Sequence, residues 1–187
     1  MVKKSETKKA TKVLKRKISV FYLVGSIVLW LLTISWMIMI FSLSSEPGDA
    51  SSVRSLVYTN AINSLFGLSL SNELIRVYAH IGEYAFLSLI TFLSLRFTNL
   101  ISPNISYSEA PIKMIKSDNE VLILTTLWIC ALYAVTDEYH QIFVDGRYGS
   151  IIDAFYDLIG IFIVLIIIRL VYSISLSIKG KKEVRYE

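Results

Sequence analysis

Four long apolar runs constrain the fold of this chain more than any other feature. They cover roughly residues 18–43, 72–98, 121–143 and 151–178, and each is long enough to cross a ~30 Å hydrocarbon core as a helix. Only helices and closed barrels satisfy backbone hydrogen bonds in lipid, and continuous apolar runs indicate helices. With 54% hydrophobic and 18% charged residues in a chain of 187, the sequence predicts an all-α polytopic membrane protein with four transmembrane helices.

A fifth, shorter helix is predicted between the first and second apolar runs. After the loop S-S-E-P-G-D, apolar residues recur with helical spacing, and Gly67 can end the helix. This segment of roughly 16 residues carries Arg54, Asn60 and Asn63, so it is too short and too polar to span a bilayer. It is therefore expected to be an interfacial or re-entrant helix.

Capping residues predict where the other helices begin. Ser71 or Asn72 can cap the second spanning helix, and Ser150 precedes Asp153 with the spacing of a cap for the fourth. The segment from Thr98 to Glu120 contains two prolines and is predicted to be a polar connection. Its last four residues, Ser117-Asp118-Asn119-Glu120, have capping-box spacing, which predicts that the third helix begins near Val121.

The distribution of cations predicts the orientation in the membrane. Residues 1–17 carry eight cations and one acid, and the C-terminal end is also net positive, whereas lysine is absent from the opposite side. By the positive-inside rule both termini are cytoplasmic. We therefore expect a basic N-terminal tail (1–17), a membrane domain (18–178) and a basic C-terminal tail (179–187) in the cell membrane. The same rule accounts for the basic run without a nucleic-acid partner.

Ionisable residues at the membrane boundary mark the candidate site, because they are costly in lipid and usually face a protein interior or cavity. The four-helix topology brings them from the second, third and fourth helices and one turn to the outer end of the bundle. The candidates for catalysis are His80, Glu83, Asp137 and Glu138. The candidates for ligand binding are Gln141, Arg147, Asp153 and Asp157.

Helix polarity distinguishes the roles of these acids. Asp153 lies at a helix start, where the macrodipole stabilises an acid, so capping alone can explain it. Asp137 and Glu138 lie at a helix end, where the dipole disfavours them, and they need a compensating partner. Arg147 and the two histidines are the nearby candidates for that partner.

Three motifs resemble one family. The runs H-I-G-E-Y-A-F-L, D-E-Y-H-Q-I-F-V-D-G-R and S-I-I-D-A-F-Y-D-L-I-G, with S-S-E-P after the first span, are similar to the VanZ-like family over about residues 20–170. The founding member of that family is associated with teicoplanin resistance. The resemblance implies a bacterial multi-pass membrane protein whose matching polar positions are those named above. Family members often have proline where this chain has Asp145.

Two functional hypotheses follow for the polar residues. In the first, an outer-leaflet pocket binds or modifies an amphipathic partner, either a lipoglycopeptide antibiotic, as the resemblance implies, or a membrane lipid. In the second, the protein is an enzyme in which Glu138 acts as a general base or a divalent metal is bound. The spacing does not match H-E-x-x-H, and the dominance of carboxylates favours magnesium, calcium or manganese over zinc. The sequence assigns no metal ligand and no cofactor.

A third hypothesis is that the polar cluster only holds the helices together. Hydrogen bonds between membrane helices average only ~0.6 kcal/mol each, which is a weak reason to bury so many polar groups. Transport is disfavoured because four spans without paired broken helices leave little room for alternating access. Cys130, inside an apolar run, is expected to be a packing residue. The oligomeric state does not follow from the sequence.

Overall fold

The structure, a computed structural model, describes residues 18–101 and 111–183. Its five helices are α1 (Val20–Ser44), α2 (Gly48–Phe66), α3 (Asn72–Ile101), α4 (Pro111–Gln141) and α5 (Ile151–Glu183), and these described ranges contain no strand. Within these described ranges, four segments are long and apolar enough to cross a membrane, namely Val20–Ser44, Asn72–Ile101, Asn119–Gln141 and Ile151–Ile178. The predicted fold class is confirmed.

The additional helix α2 forms where the sequence predicts it. It ends at Gly67, whose φ of 65° is left-handed and suits a residue without Cβ. Asn63 then fixes the short loop to α3, because its side chain both donates to the Leu70 carbonyl and accepts from the Leu70 N–H, each at 2.9 Å. Leu65 and Phe66 remain exposed, which is compatible with an interfacial position.

The predicted caps of α3 and α5 are present, but the predicted start of the third spanning helix is wrong. Ser71 Oγ accepts a hydrogen bond from Leu74 N–H, and Ser150 Oγ from Asp153 N–H, each at 3.2 Å. Helix α4 begins at Pro111, ten residues before Val121. Proline is well suited to a first helical turn, and a polar segment outside the lipid can remain helical.

Of the two predicted tails, only part of the C-terminal one lies within the described residues. Helix α5 continues to Glu183, so the segment predicted as a C-terminal tail begins within a helix. The N-terminal tail (1–17), residues 102–110 of the predicted connection, and residues 184–187 lie outside the described residues. The division into tails and membrane domain stays a prediction.

Helix α3 is central, since it packs against α1, α2, α4 and α5. A buried hydrophobic cluster lies among α1, α3, α4 and α5 and includes Tyr84, Leu87, Cys130, Ala134 and Ile161. Cys130 is fully buried in this cluster, which agrees with a packing role.

Small hydroxyl residues join α1 to α3 along their length. Ser26 Oγ lies 2.7 Å from Thr98 Oγ1, and Thr33 Oγ1 lies 3.0 Å from Ser94 Oγ. Lipid tails are as apolar as leucine, so membrane helices associate through close packing and short hydrogen bonds rather than through a hydrophobic drive. These contacts fix the register of α1 against α3, and therefore the height of the residues at the ends of both helices.

Gly160 allows α3 and α5 to approach closely. A Cβ atom added at this position would lie 2.2 Å from the Ile81 carbonyl oxygen and 3.0 Å from the Ala85 nitrogen. Both are backbone atoms of α3, which cannot move aside without shifting the helix. This crossing lies beside His80, so it also sets how α3 presents that residue to α5.

We therefore expect Gly160→Ala to destabilise the fold by about 1–3 kcal/mol, the usual cost of overpacking. Thermal unfolding of the purified protein in detergent measures this loss. Gly82→Ala is the matched control, because a Cβ at Gly82 meets nothing within 4 Å and alanine is the better helix former. Equal midpoints for the two variants would contradict a close crossing at Gly160.

Candidate functional site

Polar side chains from four helices meet at one end of the bundle. Ser44 Oγ, at the end of α1, donates to Asp137 Oδ2 of α4 at 2.8 Å. His80 Nδ1 of α3 lies 3.0 Å from Asp157 Oδ1 of α5. The antiparallel arrangement thus brings the ends of α1 and α4 to the beginnings of α3 and α5, as the sequence predicts.

His80, Glu138 and Asp157 form the innermost part of this cluster. Each offers one ligand-type atom, and these three atoms lie within 4.8 Å of one another. Asp157 is fully buried, because its position almost two turns into α5 places it below the helix start. Its Oδ2 atom has no hydrogen-bond partner among the described residues.

Glu138 joins the end of α4 to the start of α5. Its Oε2 accepts the Ser150 backbone N–H at 2.8 Å, and its Oε1 accepts Gln141 Nε2 at 3.0 Å. Both oxygens are therefore engaged, and the side chain is 6% exposed. The backbone N–H at the start of α5 thus stabilises an acid that its own helix end disfavours.

Asp137 is less completely satisfied. Its Oδ2 accepts Ser44 Oγ and, at 3.4 Å, Gln141 Nε2. Its Oδ1 has no partner among the described residues, nor does the hydroxyl of Tyr84, which is 1% exposed. Buried polar atoms rarely lack partners, so these atoms identify a place where the protein alone does not complete the hydrogen bonding.

Arg147, one of the partners that the sequence suggests for the acidic pair, makes no direct ion pair with Asp137 or Glu138 and acts on Asp137 only through its nearby charge. Its Nη1 donates to the Ser44 carbonyl oxygen at 3.1 Å and its Nη2 to Ser51 Oγ at 2.5 Å. It therefore connects the turn after α4 to the end of α1 and the first turn of α2. Burial lowers the pKa of Arg147, and the neighbouring Arg76 and Arg54 lower it further. Arginine nevertheless stays protonated in proteins.

The same turn contacts α2 directly through the backbone. Gly48 N–H donates to the Asp145 carbonyl oxygen at 3.0 Å. A Cβ at Gly48 would lie 1.9 Å from the Gly146 carbonyl oxygen, and Gly146 itself has a φ of 68°. Glycine at both positions is what allows α2 to begin against the turn. Asp145 takes part only through its carbonyl, which a proline there would also supply.

A cavity of about 440 Å³ lies beside this cluster, and helix α2 forms one wall of it. Five of the eight predicted site residues line it, namely His80, Glu83, Asp137, Gln141 and Arg147. Glu138 and Asp157 adjoin the cavity at His80 but do not line it. Asp153 does not line it either, and its backbone N–H bonds to the Ser150 cap.

Sequence reasoning missed several residues of the cavity. Arg54 and Arg76 line it with Arg147, and Arg54 forms an ion pair with Glu46. The sequence contains no lysine at this end of the bundle, and its arginines there are Arg54, Arg76 and Arg147. This pattern is a signal that could have identified them. Ser44 belongs to the S-S-E-P run noted in the sequence, but its contact with Asp137 and the role of Ser51 depend on contacts between helices.

A family model described as VanZ/LLP1 matches residues 29–172, a range that contains every residue of the cluster and cavity described above. No curated protein and no solved structure matches the chain.

Arg147→Lys should loosen the start of α2. A single ammonium on a flexible stem cannot reproduce the two-point contact with Ser44 and Ser51, and a hydrogen bond from a charged group is worth about 1.5–3 kcal/mol. Amide hydrogen exchange in the first turns of Gly48–Phe66 should become about tenfold faster or more.

Arg54→Lys is the control for this experiment, because lysine can retain the ion pair with Glu46. Its α2 amides should exchange at close to the wild-type rate. If Arg147→Lys also left exchange in α2 unchanged, the guanidinium would not be what holds α2 in place.

Proposed function

The chain belongs to the VanZ/LLP1 family, and on that premise we propose that it is a cell-membrane protein that protects the envelope against lipoglycopeptide antibiotics of the teicoplanin type. The proposed activity is binding of an amphipathic ligand in the cavity beside α2. The ligand is either the antibiotic itself or the membrane lipid that it engages.

The composition of the cavity lining carries this proposal. One part is apolar, with Ile40, Leu43, Ile62 and Ile75, and suits an acyl chain. Another part is polar and combines the carboxylates of Glu83 and Asp137 with three guanidinium groups, from Arg54, Arg76 and Arg147. Such a combination fits a molecule with an apolar tail and an anionic or hydrogen-bonding head, because arginine is well suited to recognise carboxylate and phosphate.

The size of the cavity limits what enters it. About 440 Å³ lies within the usual range of small-ligand sites, roughly 300–1,000 Å³. A cavity of this size accommodates an acyl segment or a lipid headgroup rather than an entire lipoglycopeptide. In the proposed mode only the lipid-like part of the ligand is therefore enclosed.

The proposed orientation puts the cavity in the outer leaflet. It rests on the concentration of cations in residues 1–17 and in the C-terminal segment. The cavity lies at the opposite end of the helices from those segments. An outer-leaflet position would give it direct access to molecules that act on the cell envelope.

Two observations favour binding over the alternative functions. Glu138 does not line the cavity and both its oxygens are engaged, which disfavours it as a general base toward a bound substrate. Asp137 does line the cavity, and its Oδ1 atom is buried without a partner among the described residues. A residue with only a structural role would be expected to have that atom satisfied internally.

Protection should depend on the acyl chain of the antibiotic. We expect expression of the chain in a susceptible bacterium to raise the inhibitory concentration of a teicoplanin-type lipoglycopeptide, because the apolar lining would enclose the acyl group. The same antibiotic without its acyl chain should inhibit the expressing and non-expressing strains equally. Equal protection against both forms would contradict the proposal.

Neutralising one arginine of the cavity should weaken protection without loss of the fold. Arg76 is exposed and lines the cavity, so Arg76→Gln removes a charge for the ligand while burying nothing new. The matched control is Arg169→Gln, since Arg169 is exposed toward the other end of α5. With equal membrane abundance by immunoblot, only Arg76→Gln should lower the inhibitory concentration; equal values in both strains would argue against an arginine-lined ligand site.

A further inference from the structure

The cluster behind the cavity has a charge imbalance that its own side chains do not resolve. Asp157 is fully buried and Glu138 is 6% exposed. Among the described residues the ion pairs are Arg54 with Glu46 and His80 with Asp157, while Arg147 donates to uncharged oxygens. One imidazole therefore faces two buried carboxylates, and a buried charge is costly unless it is paired or bound to a metal.

An independent observation concerns the second carboxylate oxygen of Asp157. Asp157 Oδ1 contacts His80, but the second oxygen of the same carboxylate, Oδ2, has no partner although it is fully buried. The hydrogen bond with His80 thus satisfies only one of the two carboxylate oxygens of Asp157. A cation, which accepts electron pairs from carboxylate oxygens, would be a suitable partner for the other.

We propose that His80, Glu138 and Asp157 bind a divalent transition-metal ion, Mn²⁺ or Zn²⁺. The three ligand-type atoms lie within 4.8 Å of one another. Metal–ligand bonds of about 2.0–2.2 Å allow two ligands of one ion to be up to about 4.4 Å apart, so small side-chain movements suffice for coordination. The residues come from α3, α4 and α5, which a bound ion would join.

The donor set determines the class of metal. Imidazole nitrogen favours transition metals, whereas calcium takes six to eight oxygens and magnesium prefers oxygen and water in an octahedron. Two carboxylates and one imidazole suit Mn²⁺ and Zn²⁺. The sequence favours magnesium, calcium or manganese over zinc because carboxylates dominate. With imidazole as one of three ligands, manganese remains a candidate, zinc joins it, and magnesium and calcium are disfavoured.

The proposed ion would lie at the edge of the cavity. His80 lines the cavity and also belongs to the metal-binding cluster, so coordination would fix its ring. Three protein ligands also leave coordination positions open, as in catalytic rather than structural zinc sites. The proposal goes beyond ligand binding and does not depend on it, because the purified protein can be tested without any antibiotic.

The test uses the full chain in detergent after treatment with a chelator. Electron paramagnetic resonance measures free Mn²⁺ during a titration, and a parallel competition measures Zn²⁺. We expect about one bound ion per chain and at least tenfold weaker binding in His80→Gln and Asp157→Asn, because loss of even an outer-shell partner costs about 10–100-fold.

Two matched variants control for general effects. His140 is the only other histidine of the chain; it contacts Ser45 and stacks on Phe41, outside the cluster. Asp145 is an exposed acid of the turn. His140→Gln and Asp145→Asn should bind the metal as the wild type does, and weakening in these controls equal to that in the ligand variants would overturn the assignment.

The wild-type protein alone gives a second measurement in case a ligand variant fails to fold. A metal that binds only the native state raises the unfolding midpoint with increasing metal concentration. A saturable rise with Mn²⁺ or Zn²⁺, larger than with equal Mg²⁺, supports the site. Binding well below one equivalent of both transition metals, together with an unchanged midpoint, would overturn it. Neither result depends on whether the chain protects against antibiotics.

Discussion

The contact between His80 and Asp157 is the interaction around which the polar end of the bundle is organised. It joins α3 to α5 at 3.0 Å, just beyond the place where Gly160 brings their backbones together. A carboxylate so far inside an apolar helix would be strongly disfavoured without a partner. Glu138 and Asp137 then extend the network to α5 and α1, so all four long helices are connected at this height.

The sequence predicts the helices well because the membrane makes hydropathy and length decisive. Runs of apolar residues predict the four spans, and Gly67, Ser71 and Ser150 correctly mark the boundaries of α2, α3 and α5. The same reasoning fails at α4, where Pro111 begins the helix. Capping-box spacing is a local signal, and it does not exclude a helix that already started upstream.

The candidate site is predictable only in outline. Topology predicts that polar residues of separate segments converge. It does not predict which atoms these residues form hydrogen bonds with. Arg147 could have paired with an acid and instead donates to Ser44 and Ser51, and Asp153 lies beside the cap rather than at the cavity. These outcomes depend on which way side chains point from crossing helices, information that sequence spacing does not contain.

The bonds that anchor α2 determine how the cavity wall responds to salt. Several hydrogen bonds hold this wall: Gly48 N–H to the Asp145 carbonyl, Arg147 to two uncharged oxygens, Asn63 to the Leu70 backbone, and the Ser55 and Thr59 hydroxyls to Asn72 Oδ1. None is an ion pair, whereas the ion pair that α2 itself forms, Arg54 with Glu46, is partly exposed. Dissolved salt screens exposed charge pairs far more than such bonds. The cavity wall is thus expected to keep its position in dilute and in strongly saline media alike.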